Sequence, residues 1–167
     1  MSVRKRYEAD KADERKPRDP ARHLGVYKSL DEVPERYRVR QHAAKYEGRD
    51  VWTEWVETAK AGSWESESSQ NRLRLVQEKW NGLVADRGRH HALAQPSDVE
   101  AYAEEIADLS KQYAMATYWR PVEQLYRWLM MHTDHPHRYN PVWIAASQNE
   151  SARKMWDHQI TLNRDKS

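Results

Sequence analysis

The chain has 167 residues, of which 38% are hydrophobic and 32% are charged, and its formal net charge is +2. That composition allows one compact domain with a small core, and the near-neutral total means that a basic binding site has to come from charge segregated along the chain. The absence of cysteine excludes a disulfide scaffold, a thiolate zinc site and a cysteine nucleophile, and no apolar run approaches the roughly 18 residues of a membrane span, so we expect a cytoplasmic protein with no membrane partner.

The first 22 residues form a separate basic segment. They carry a net charge of +3, with Arg4, Lys5 and Arg6 near the start, and they contain almost no apolar residue. A segment that buries so little apolar surface cannot offset the conformational entropy that it loses on ordering. We therefore predict a disordered basic arm over residues 1–22, whose cations contact nucleic-acid phosphates.

Residues 23–48 are predicted to lead into the folded domain. Their apolar positions are interrupted by Pro34 and Gly48, and Ser29 followed by Glu32 has the spacing of a helix capping box. We expect a short helical lead-in there.

Four longer segments have the three- and four-residue apolar spacing of amphipathic helices. Their apolar positions, in chain order, are Trp52, Trp55, Val56 and Ala59; Leu73, Val76, Trp80, Leu83 and Val84; Val99, Tyr102, Ile106 and Leu109; and Tyr118, Val122, Leu125, Tyr126 and Leu129. In the third segment Ser97 is expected to cap the helix, with Glu100 three residues on. No segment has the period of a strand, so we predict an all-α protein: a small bundle of four main helices over residues 49–142, followed by a C-terminal tail over 143–167 that can be helical.

Pro121 interrupts the fourth pattern. In an α-helix its ring would clash with the carbonyl of Thr117. The fourth helix is therefore expected either to kink at this point or to restart with Pro121 in its first turn.

Charge alternates between the four helices. Residues 49–67 and 97–109 have net charges of −3 and −5, whereas residues 69–91 and 111–138 have net charges of +3 and +2. The second and fourth helices are therefore the basic pair, and the first and third repel phosphate.

The basic pair carries its polar side chains on the outer faces, away from the apolar stripes. These side chains, with the three cations of the arm, are the candidate DNA-binding residues: Arg72, Arg74, Lys79, Arg120, Gln124 and Arg127. The alternative is that both are ordinary solvated helix faces. Because Arg74 and Arg127 lie off the stripes, replacing them is expected to leave stability nearly unchanged.

Five segments follow one another in an order that is informative beyond their composition. They are Asp50–Val56, Ser69–Trp80, Pro96–Tyr102, Val122–Leu129 and Asn140–Val142. In this order they resemble the N-terminal core-binding (SAM-like) domain of tyrosine recombinases, the phage-integrase family, over about residues 49–142. The resemblance implies a bundle that grips one side of duplex DNA, with its second and fourth helices approaching the major groove.

The resemblance covers only the core-binding domain, so we expect the chain to lack the family's catalytic activity. Tyrosine recombinases carry Arg, Lys, His-x-x-Arg and a Tyr nucleophile in a following domain, and the residues after Pro141 are too few for one. The His-x-x-Arg at 135–138, with Tyr139 after it, lies before that point and is interpreted as coincidence. We predict a non-catalytic, nucleoid-associated protein that binds double-stranded DNA as an accessory or regulatory factor of a mobile element. A degenerate integrase, or a chain completed by a separate recombinase partner, is the alternative within this class.

One cluster has the residue types of a metal site: His132, Asp134, His135 and His137. A further ligand at the usual spacing is missing, so the favoured interpretation is a polar loop whose His residues and Arg138 contact phosphate or helix carbonyls. With 5 glycines in the chain no loop resembles a phosphate-binding loop, and we expect no cofactor.

A function of another class also fits the composition. Trp64, Trp119, Trp128 and Trp143 are less clearly internal than the other large aromatic residues. If they were exposed, they could form a surface that binds a protein partner, and the basic faces would then be merely solvated.

Overall fold

A computed structural model describes residues 27–59 and 66–165, and this part of the chain is helical without strands, which confirms the all-α prediction. The elements are α1 (Ala43–Tyr46), α2 (Val51–Ala59), α3 (Glu67–Asp86), α4 (Pro96–Ile106), α5 (Lys111–Tyr113), a π-helix (Ala114–Trp119), α6 (Arg120–Met131), α7 (Pro141–Gln148) and α8 (Glu150–Asp165). Short 3₁₀ turns lie between residues 30 and 42. The predicted basic arm, with Arg4, Lys5 and Arg6, lies outside the described residues.

The aromatic side chains of the core are those of tryptophan and tyrosine, since the chain contains no phenylalanine. Trp52, Trp55, Trp80 and Trp119 are all at most 1% exposed. The ring of Trp80 lies edge-on to that of Tyr102, with 5.1 Å between ring centroids, and a similar contact joins it to Tyr126 at 6.2 Å. Edge-to-face pairs of this kind add to the free energy gained by burying the rings.

The C-terminal segment belongs to the same core. Helix α8 packs on α7, α4 and the π-helix, and Ile144, Ala145, Met155 and Trp156 are buried. The sequence analysis predicts a tail over residues 143–167 after a four-helix bundle. The described part of that segment instead supplies core residues. The described bundle therefore has more than four main helices.

The turn between α3 and α4 ends one helix and caps the next. Helix α3 ends at Asp86, and Gly88 follows with a positive φ of 81°, which favours glycine. Helix α4 is capped by Gln95 rather than by Ser97, because Pro96 takes the first helical position. The third residue of α4, Asp98, completes a capping box with Gln95.

The buried stripe of α4 is shorter than the sequence predicts. Leu109 was predicted as its last apolar position, but it lies beyond the end of the helix at Ile106 and is 38% exposed.

Pro121 explains the π-helix. Proline has no N–H to donate to the carbonyl of Thr117, and its ring would clash with that carbonyl in α-helical geometry. In a π-helix each N–H reaches the carbonyl five residues back, as when Arg120 donates to Met115. The chain consequently continues without a break from α5 through the π-helix into α6, and Pro121 lies in the first turn of α6. The restart predicted from the sequence is therefore found as a change of helix type.

Candidate nucleic-acid interface

Helices α3 and α6 bring two of the predicted cations to one cleft. The cleft has a volume of about 230 Å³ and is called the α3–α6 cleft below. Its lining residues are Arg72, Leu73 and Val76 of α3, Ala116 and Thr117 of the π-helix, and Arg120 and Pro121 of α6. Two guanidinium groups from the two basic helices thus flank a largely apolar floor.

The guanidinium of Arg120 is incompletely satisfied. Its Nη2 atom is buried and has no hydrogen-bond partner among the described residues. A buried donor without an acceptor is costly, so such groups in folded proteins are normally met by water, an ion or a ligand. Arg120 is therefore suited to an anionic or hydrogen-bond-accepting ligand in the α3–α6 cleft.

Arg120 and Lys111 both act on His158 of α8. Burial is the main cause of the lowered pKa of this imidazole, and the charges of Lys111 and Arg120 lower it further. The two cations therefore lie close enough to His158 to add their positive fields there.

Two other predicted cations form ion pairs with carboxylates of the same protein. The Nζ atom of Lys79 lies 3.1 Å from Glu105 of α4 and 5.7 Å from the centroid of the Tyr118 ring. Arg127 pairs with Glu123, whose side chain is fully buried. Lys79 and Arg127 thus neutralise carboxylates of the protein itself.

The remaining two predicted residues belong to α3 and α6 but do not line the α3–α6 cleft. Arg74 is exposed on α3 and stands two positions after Arg72, which turns it by roughly 200° to another face of the helix. Gln124 is half-buried, one turn after Arg120 in α6. The cleft lining at Thr117 and Pro121 was not predicted as part of the site, because both residues lie outside the predicted apolar stripe and a helical pattern gives no sign of a cavity between helices.

Two histidines of the cluster lie inside the protein, whereas His132 is half-buried and Asp134 is exposed. His135 and His137 are buried, with His135 Nδ1 2.6 Å from the hydroxyl of Tyr46 and His137 Nε2 2.6 Å from the carbonyl oxygen of Ala92. These two residues are therefore part of the core, and their partners are a tyrosine and the carbonyl of a turn residue rather than phosphate. In the described ranges no group of three or more His, Asp or Glu residues is arranged to hold a metal ion.

The imidazole of His91 caps the start of α2. The N–H groups of Val51 and Trp52 both point to Nε2 of His91, at 3.1 and 3.3 Å. These are the first two residues of α2, so the neutral imidazole satisfies donors that have no partner within the helix. Burial lowers the pKa of His91 to about 4, which keeps this acceptor unprotonated near neutral pH.

The tryptophans proposed as a partner surface are mainly internal. Trp119 is fully buried and its Nε1 donates to Gln159 at 3.0 Å. Trp128 and Trp143 are partly buried and pack against the core. Trp64 lies outside the described residues. Trp119 is therefore unavailable to a partner surface, and Trp128 and Trp143 are available only in part.

Comparison of the chain with protein-family models, with curated proteins and with solved structures gives no match. Among the helices of the described residues, none combines the length and the apolar character needed to cross a bilayer.

Proposed function

We propose that this chain is a non-catalytic protein that binds duplex DNA through the outer surface of α3 and α6. The observation that carries the proposal is the pairing of Arg72 and Arg120 across one cleft, with a buried nitrogen of Arg120 that has no partner among the described residues. Two arginines that line one cleft can contact phosphate oxygens of one strand, and phosphate contacts provide a large share of the affinity of DNA-binding proteins.

The distribution of ion pairs supports this choice of face. Arg87 and Arg89 both bond to Asp98, and Arg49 bonds to Glu54. By contrast, no ion pair with a described residue engages Arg72 or Arg120. The same is true of Arg74, which is exposed on another face of α3. What distinguishes Arg72 and Arg120 is that both lack an ion pair among the described residues and both line the α3–α6 cleft, so a polyanion can contact the two guanidinium groups together.

The resemblance to integrase core-binding domains supports the same orientation, since it implies that the second and fourth helices approach DNA. In this proposal the chain acts beside a recombinase, as an accessory or regulatory factor of a mobile element. The basic arm over residues 1–22 adds phosphate contacts that do not depend on sequence.

The test is fluorescence anisotropy with a labelled duplex of random sequence at two salt concentrations. Arg72→Ala with Arg120→Ala is expected to weaken binding at least about tenfold and to reduce the slope of log K against log salt by about two. Arg74→Ala is the matched control for the single variant Arg72→Ala, because each removes one exposed arginine from α3 but Arg74 does not line the cleft, and it is expected to change affinity less than Arg72→Ala does.

Two outcomes would contradict the proposal. The first is that the wild-type chain does not bind duplex at low salt. The second is that Arg72→Ala binds as well as the Arg74→Ala control. The first outcome would favour the alternative of a helical protein-interaction module.

A further inference from the structure

The floor of the α3–α6 cleft is not explained by contacts to the backbone of a continuous duplex. Phosphate oxygens need only the two guanidinium groups, yet the lining also includes the apolar side chains of Leu73, Val76 and Pro121, which are core residues that reach the cleft with their outermost atoms. Apolar lining with a few convergent polar groups is the usual composition of a small-molecule site. The cleft is therefore shaped for a group that carries an apolar or aromatic part next to its negative charge.

We propose that the α3–α6 cleft holds one unpaired nucleotide, such as the end of a strand or the first residue of an overhang. This inference rests on the proposed DNA-binding function and specifies which form of DNA is preferred. The phosphate lies between Arg72 and Arg120, and the base or sugar packs on the floor formed by Leu73, Val76 and Pro121. A base that is stacked and paired in a continuous duplex cannot enter the cleft.

The size of the cleft limits the ligand to a single residue. Its volume of about 230 Å³ is below the roughly 300–1,000 Å³ of pockets that enclose drug-sized ligands. The unsatisfied Nη2 atom of Arg120 needs an acceptor at one end, and the nearly buried Thr117 brings a hydroxyl group to the same lining. One phosphate with one base or sugar meets these requirements, whereas a longer unstacked strand has to continue outside.

An exposed tyrosine, supported by a half-buried one, lies where the strand could continue. Tyr113 is 44% exposed and precedes the cleft residue Ala116 by three positions on the same continuous helix. Its ring meets that of Tyr118 edge-on, with 5.8 Å between centroids, so its orientation is supported. Exposed tyrosines next to basic grooves are typical stacking surfaces for unpaired bases.

The experiment compares two DNAs of the same sequence by anisotropy competition. One is a closed circular duplex without ends, and the other is a linear duplex with a short 5′-phosphorylated overhang. The wild-type chain is expected to bind the overhang about tenfold more tightly, because stacking of one base commonly contributes that much. Equal affinities for the two DNAs would overturn the inference and leave the proposed function standing, whereas no binding to the closed circle would remove the proposed function itself.

A variant that fills the floor provides the second arm. Ala116→Leu is expected to reduce binding of the overhang far more than binding of the circle. Ala85→Leu is the matched control, because Ala85 is exposed on α3 and does not line the cleft. A preference for the overhang that survived Ala116→Leu in a folded variant would contradict the inference.

Competition with small ligands keeps the inference testable if Ala116→Leu does not fold. A 5′-phosphorylated dinucleotide is expected to displace the overhang from the wild-type chain, and inorganic phosphate at the same concentration is not. A dipeptide with a free carboxylate and an apolar side chain is the opposing probe. If the dipeptide competed as well as the dinucleotide, the cleft would bind organic anions in general and the assignment to a nucleotide would be wrong.

Discussion

At the scale of single residues, Glu123 has an unusual position for a carboxylate. It is fully buried in α6, and its Oε1 accepts hydrogen bonds from Arg127 and, at 3.2 Å, from Nε1 of Trp143. Arg127 itself is about half exposed. Arg127 is exposed, as its position off the apolar stripe predicts, but its ion pair with Glu123 ties it to a buried charge that the helical pattern does not show.

Arg127→Ala is accordingly expected to destabilise the fold. Removing the guanidinium leaves a buried carboxylate without its charged partner, which costs roughly 1–3 kcal/mol after allowance for the solvent exposure of Arg127. Arg74→Ala, at an exposed position, should change the free energy of unfolding by less than about 0.5 kcal/mol. Urea unfolding of the two variants measures the difference, and Glu123→Gln in the Arg127→Ala background should restore part of the loss. Equal stability of the two single variants would refute this account.

His137 predicts an acid-sensitive fold. Burial lowers its pKa from 6.5 to about 4, so below pH 6.5 the unfolded chain takes up a proton that the folded chain does not. The stability contribution is complete above pH 6.5 and is lost as the pH falls towards 4. At about 1.4 kcal/mol per pKa unit this one residue accounts for about 3 kcal/mol.

The measurement is urea unfolding at a series of pH values between those limits. His137→Gln keeps a donor for the carbonyl of Ala92 but cannot titrate, so its stability should fall less on acidification than that of the wild type. A Gln variant with the same pH dependence as the wild type would show that other groups, such as His91, are responsible.

At the scale of elements, Asp98 joins the end of α3 to the start of α4. Its fully buried carboxylate accepts hydrogen bonds from Arg87, from Arg89 and from the backbone N–H of Gln95, at 2.6–2.8 Å. Burial alone would raise the pKa of Asp98, but the hydrogen bonds from Arg89, Gln95 and Arg87 outweigh it and hold this pKa below its usual value. The ionised carboxylate of Asp98 therefore holds the turn between α3 and α4 together.

Asp98→Asn tests this role with almost no change in size. The amide leaves two arginines facing a neutral group that offers one acceptor oxygen, so a loss of about 2–3 kcal/mol is expected in urea unfolding. Asp108→Asn, at an exposed position after α4, is the control and should be nearly neutral. If both variants were equally stable, the carboxylate of Asp98 would not hold the turn together.

The elements also indicate what the sequence can and cannot predict. Stripes such as Leu73, Val76 and Trp80 identify their helices, because the three- and four-residue spacing is a local property of the chain. Helix α7 could not be recognised in the same way, since Val142, Ile144 and Ala145 lie in a short apolar run without clear helical periodicity. Its burial depends on packing against distant helices.

The candidate site was predictable only in part. The charges of Arg72 and Arg120 are visible in the sequence, but their convergence depends on how α3 crosses the π-helix. Lys79 and Arg127 carry the same charge, yet their carboxylate partners exclude them from the cleft. The partner of Lys79, Glu105, belongs to a different helix, and no helical wheel can show such a pairing.

At the scale of the whole molecule, the C-terminal helices are expected to be essential for folding. A chain ending at residue 142 would lose Ile144, Met155 and Trp156 from the core, at roughly 1.5–3 kcal/mol for each large apolar side chain. That total is comparable with the whole stability of a typical domain. Circular dichroism of this shorter chain during heating should therefore show no cooperative transition.

Removal of residues 1–22 is the comparison, and it is predicted to leave the cooperative transition of the chain intact. A cooperative transition in the chain ending at residue 142 would mean that α7 and α8 are dispensable.

The packing of Trp80 against Tyr102 and Tyr126 also has an optical consequence. Tyrosines this close to an indole transfer their excitation to it, so Tyr102 and Tyr126 should add almost nothing to the tyrosine emission of the folded protein. The nearly perpendicular Trp52 and Trp55 rings, 5.1 Å apart, should in addition couple their transitions and give a paired positive and negative band in the far-ultraviolet circular dichroism. The transfer weakens and the paired band is lost when the rings separate, so the protein carries its own unlabelled spectroscopic reporters at two points of the core.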